Sequence, residues 1–76
     1  MLVTLKEILA PHINKGTAVG AFNVTTYGDA QPVIDAAVAQ NAPVVVQVGG
    51  FATSYMDTGL WGPLLCEMAR RASVPV

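Results

Sequence analysis

Two short runs constrain this chain more than anything else in it. Residues 17–24 (TAVGAFNV) and 44–50 (VVVQVGG) are apolar almost throughout, and neither alternates apolar with polar residues. A strand with one wet face must alternate, because successive side chains point to opposite faces. A strand without alternation is covered on both faces, which is the condition inside a parallel sheet. Turn chemistry bounds both runs: Gly16 and Thr25-Thr26 flank the first, Pro43 and Gly49-Gly50 the second.

Parallel strands need crossover connections, and the segments around these runs carry helical patterns. Thr4 and Glu7 have the spacing of a capping box, followed by Leu5, Ile8, Leu9 and Ile13 at helical spacing. Pro11 predicts a kink or a break near Ala10, and Asn14-Lys15-Gly16 a stop. Thr26 or Asp29 is expected to cap a second helix with Val33, Ile34, Ala37 and Val38 on one face. An Asp29 cap would put Pro32 in the first turn, where its missing N–H costs nothing. Residues 51–59 read as a connector. A third helix is expected near Leu60, with Pro63 in its first turn. Trp61, Leu64, Leu65, Met68, Ala69 and Ala72 form its apolar stripe, and Val74 opens a third strand. The order α-β-α-β-α-β specifies an α/β fold with a parallel sheet. The strand starts fit the repeat of about 30 residues in a (β/α)8 barrel, and equally a doubly wound sheet.

Composition narrows the function classes. Hydrophobic residues make up 53% of the chain and charged residues 12%, about half the usual share. A 76-residue domain has much surface to cover, so this composition points to apolar faces covered from outside these residues. The net charge of -1, with Arg70-Arg71 as the only basic pair, argues against a nucleic-acid partner. No apolar run reaches the roughly 18 residues of a membrane span, and Lys6 and Glu7 break the pattern of a secretory signal. The single cysteine, Cys66, forms no internal disulfide, and a cytoplasmic location is expected.

In a parallel architecture, ligands collect at the C-terminal ends of strands. Those ends carry Asn23, Thr25 and Thr26 on the first strand. On the second they carry Gln47, Gly49 and Gly50, followed by Thr53 and Ser54. An amide there needs partners, from a neighbouring loop or from a ligand. Gly49-Gly50 is a tight turn or a place for a ligand to approach the backbone. His12 lies away from that end, Cys66 has no partner His, and no residue set reads as a metal site or catalytic dyad. No glycine-rich phosphate fingerprint is present.

The run LVTLKEIL…GTAVGAFNV…AQPVIDAAVAQNAPVVVQV…SVPV resembles the N-terminal part of the class II, zinc-dependent ketose-bisphosphate aldolases. The resemblance implies the first part of a (β/α)8 TIM barrel, about two and a half β/α units plus an N-terminal helix. Residues 1–76 would be the incomplete N-terminal portion of a single aldolase domain, roughly the first quarter. In that family the strand beginning SVPV runs into a His-x-Asp-His-Gly type motif that supplies a zinc ligand and the acid/base Asp. The zinc ligands are therefore expected beyond residue 76. The implied reaction is reversible cleavage of fructose 1,6-bisphosphate or tagatose 1,6-bisphosphate, with dihydroxyacetone phosphate as the bound triose. The implied whole enzyme is a homodimer or homotetramer. Asn23 matches a substrate-contacting Asn, and Gly49 stands where many members place a Ser in a substrate-binding loop. Two rival readings remain: a non-catalytic α/β binding or assembly module, and the start of a nucleotide-binding domain.

Overall fold

The first helix forms where the capping box places it. Thr4 caps α1 (Leu5–Leu9): its hydroxyl accepts from the Glu7 N–H at 3.2 Å, and the Glu7 carboxylate accepts from the Thr4 N–H at 2.7 Å. Pro11 cannot continue the i→i−4 ladder, so the chain tightens into a 3₁₀ turn over Ala10–His12. Gly16, with φ of +68°, carries the chain through the left-handed region before the sheet. The computed structural model describes residues 1–76.

β1 (Gly20–Val24) and β2 (Val44–Val48) form a two-stranded parallel sheet, in register from Gly20↔Val44 to Val24↔Val48. β1 starts three residues later than the apolar run. Gly20 already faces Val44, and Pro43 before it has no N–H to extend the ladder. β2 ends at Val48 because Gly50 opens a short helix, α3 (Gly50–Thr53), inside the expected connector.

α2 (Tyr27–Ala39) is capped by Thr26, with Asp29 as the third helical residue of a second capping box. Asp29 is thus not the cap, and Pro32 is the sixth helical residue, beyond the first turn. α4 (Thr58–Arg71) starts two residues before Leu60, because the Asp57 carboxylate accepts from the Gly59 N–H at 3.2 Å. Pro63 is likewise the sixth residue of its helix and lies outside the first turn. A proline ring crowds the carbonyl four residues earlier, and here both of those residues, Gly28 and Gly59, are glycines.

The expected third strand does not form, so the sheet has two strands and the predicted half unit is missing. Residues 74–76 still lie against β2: the Val44 N–H donates to the Pro75 carbonyl at 3.1 Å. Pro75 returns no donor, which leaves too few bonds for a ladder. The Val76 N–H bonds the Met1 carbonyl, and the Val3 N–H bonds the Val76 carbonyl.

The main core joins Val24, Ala30, Ile34, Ala52, Trp61, Met68 and Ala72. Val46 and Val48 pack against it, so the helices α2 and α4 cover one sheet face. By alternation, Ala21, Asn23, Val45 and Gln47 belong to the other face. α1 buries only Ile8 and leaves Leu5, Leu9 and Ile13 exposed.

Candidate functional site

The C-terminal end of the sheet gathers the polar groups. Val24 is buried against α2, so its neighbour Asn23 turns to the uncovered face. Asn23 pairs in register with Gln47, which places two exposed amides side by side. Neither side chain has a hydrogen-bond partner within the chain, so the neighbouring-loop partner considered for Asn23 is absent here.

The turn after β1 is fixed by one carboxylate. The Asp29 Oδ2 accepts from the Thr25 hydroxyl at 2.6 Å, the Thr26 N–H at 3.2 Å and the Thr25 N–H at 3.3 Å. The Asp29 N–H donates back to the Thr26 hydroxyl at 3.1 Å. The Thr25 bonds, with smaller help from Thr26, hold the Asp29 carboxyl below its ordinary value of 3.8. Thr25 and Thr26 are thereby committed to the turn, and Asn23 is the free polar side chain of β1.

Gly49 follows Gln47 by two residues in extended backbone, φ −88° and ψ 172°. Any residue adopts this conformation, and a Cβ at position 49 would meet nothing within 4 Å. The glycine is therefore not demanded by sterics, and a Ser side chain would fit. The Gly49 carbonyl accepts from the Ala52 and Thr53 N–H groups, and the parallel register turns its own N–H toward β1. Two exposed amides and the Gly49 turn thus share one end of the sheet.

The other residues weighed from the sequence lie elsewhere. His12 Nδ1 sits 2.9 Å from the Thr17 hydroxyl, before β1. Cys66 is half-buried on α4. No three His, Cys, Asp or Glu side chains converge as metal ligands. No helix is long and apolar enough to cross a membrane. Sequence reasoning missed one contact: the buried Trp61 indole N–H donates to the Ala52 carbonyl at 3.4 Å. The signal was the indole itself, since a buried Trp N–H needs an acceptor.

Comparison with known proteins bears on this arrangement. The family model described as Fructose-bisphosphate aldolase class-II matches residues 3–76. Fructose-bisphosphate aldolases of Staphylococcus aureus strain N315 and Staphylococcus epidermidis strain ATCC 12228 are each 36% identical over 56 residues. These alignments cover 74% of this chain and 20% of each relative, so the matched region spans a fifth of their length. The crystal structure of the YdjI aldolase from Escherichia coli K12 superposes with a TM-score of 0.88 at 29% identity. That match covers 100% of this chain and 30% of the other.

Proposed function

The chain belongs to the class-II fructose-bisphosphate aldolase family, and we propose that it supplies the first strands of a (β/α)8 barrel enzyme that cleaves a ketose bisphosphate. The proposed substrate is fructose 1,6-bisphosphate or tagatose 1,6-bisphosphate, split reversibly to dihydroxyacetone phosphate and glyceraldehyde 3-phosphate. The observation that carries this reading is Asn23, exposed without a protein partner at the C-terminal end of a parallel strand. Barrel enzymes build their sites at that end.

In this reading residues 1–76 belong to a single barrel domain and contribute binding, with proton transfer left to groups outside them. The Asn23 amide orients the triose unit, donating to an oxygen that gains charge as the carbon–carbon bond breaks. Gly49 lines the same end of the sheet, without the hydroxyl that a Ser would add. Family membership implies a zinc-assisted lyase. No three potential ligands meet in this chain, so its residues do not fit the ion, and no step assigned to them runs through it. Residues 1–76 alone are accordingly inactive. The likeness also supports a cytoplasmic homo-oligomer for the whole enzyme.

The test is Asn23→Ala in a full-length aldolase carrying residues 1–76 as its N-terminal segment. Losing a hydrogen bond to a charged partner costs about 1.5–3 kcal/mol. That corresponds to a fall of about one to two decades in kcat/KM. Asn23 is exposed and makes no internal bond, so the melting temperature should hold. A lowered melting temperature with unchanged kcat/KM per folded enzyme would sink the assignment.

A further inference from the structure

β1 is covered on one flank only. Gly20 and Phe22 share the helix-covered face of the sheet with Val24 by alternation, yet Val24 is buried and Phe22 is 52% exposed. The far edge of β1 is open as well. The Val44 N–H turns away from β1 to the Pro75 carbonyl, so Val45 and Gln47 turn their backbone groups toward β1. Phe22 and Val24 answer them, which leaves the backbone groups of Ala21 and Asn23 facing an edge with no strand. α1 does not fill this place: Leu2, Leu5 and Ile8 line a separate cavity with Val45 and Val76.

Between that edge and α2 runs a groove whose lining includes Gly20, Phe22, Val33, Ala36 and Gln40 and no Asp, Glu, Lys or Arg. The Phe22 ring lies across Gly20: a Cβ at position 20 would stand 2.7 Å from the ring's Cε2 and 3.1 Å from its Cζ. Gly20 has no positive φ, so the ring, and not the backbone, demands the glycine. An uncharged groove beside an unpaired parallel strand fits a further parallel strand and the helix that follows it. α2 touches both β1 and β2, as the helix after a strand does in a right-handed crossover. A strand closing the sheet against β1 would bring its own following helix over Gly20 and Phe22 in the same way, and closure would remove the open edge. The structural match covers 30% of the YdjI aldolase chain, so a chain of this family has ample length for such a closing unit. We infer that Phe22, laid across Gly20, seats the helix that follows the closing strand of the barrel. This inference rests on the proposed barrel. In the open groove the ring can swing aside, and under a seated helix it cannot.

The experiment is a mutant cycle on Gly20 and Phe22 in the same full-length aldolase, read by melting temperature and sedimentation. Phe22→Ala should lower the melting temperature by about 6 °C or more, the loss expected for a covered ring. Gly20→Ala should lower it by about 2 °C or more, because the trapped ring has no room to yield to the new methyl group. In the Phe22→Ala background the same Gly20→Ala change should be neutral or stabilising, as it is wherever the backbone is unstrained and the space is free. If Phe22→Ala does not fold, Phe22→Leu should give a smaller fall of about 2–4 °C. An unchanged melting temperature in Phe22→Ala, or a Gly20→Ala change that is neutral with Phe22 present, overturns the inference. A smaller sedimenting species in Phe22→Ala also overturns it, by assigning the groove to a second copy of the chain. A wild-type parent that fails to cleave a ketose bisphosphate counts instead against the aldolase reading, since the melting cycle does not depend on activity.

Discussion

Asp29 holds three donors at the end of β1 while remaining fully open to water, so its contribution should respond to acid. Its folded-state pKa lies below the ordinary 3.8, so the unfolded chain takes up its proton first as pH falls. The stabilisation is therefore complete above 3.8 and disappears as pH drops through the folded value. In a full-length aldolase carrying these residues, the urea midpoint of wild type should exceed that of Asp29→Asn at about pH 6, and the gap should close below 3.8. A gap that persists unchanged to lower pH would show that the Thr25 and Thr26 bonds do not favour the charged form. At this scale the sequence was readable wherever a residue contradicted its surroundings. Asn23 stood out as an amide inside an apolar run, and the structure leaves it exposed without a partner. Gly49 was different: its backbone is ordinary, so only likeness to a family could mark it. The Trp61 bond was hidden because its acceptor lies in a helix that no local pattern announces.

Element type was legible because the periodicities differ in kind, and element ends were legible only where a cap announced them. Thr4-x-x-Glu7 placed α1 to the residue, and Pro11 marked its end. The stripe of α4 was equally clear, since Trp61, Met68, Ala69 and Ala72 are all buried and Leu64 and Leu65 partly so. Its start was not, because Thr58 and Gly59 carry no apolar signal and the cap is Asp57. The same difficulty misplaced Pro63, which was expected in a first turn, as Pro32 was only if Asp29 were the cap. Each sits sixth, where its missing N–H leaves a carbonyl without its helical donor. Glycine at the fourth residue before each proline eases the crowding by leaving the backbone free to tilt. The first two strands were found and their lengths overestimated, while the third does not form. Apolar character continues past the ladder, but pairing stops where Pro43 and Gly50 stop it.

Across the whole molecule, much apolar surface is left uncovered. Only 12 of 76 residues are buried, and the exposed large hydrophobics include Leu5, Leu9, Ile13, Phe22, Phe51 and Leu60. A two-stranded sheet with open edges adds unpaired backbone to that surface. Isolated 1–76 should bind a hydrophobic dye and melt without a cooperative transition, as loosely packed states do. A sharp, two-state melt of the monomer would show that the apolar faces need no outside cover. The barrel proposal accounts for those faces by assigning them to contacts with further strands and helices. The superposition with the YdjI aldolase over 100% of this chain supports that assignment. The most direct measurement is a crystal structure of the full-length enzyme carrying these residues, with dihydroxyacetone phosphate bound. The Asn23 amide should lie about 3 Å from a ligand oxygen, with Gly49 beside the same ligand. A ligand bound out of reach of both, with Asn23 hydrogen-bonded to a protein loop, would contradict the account.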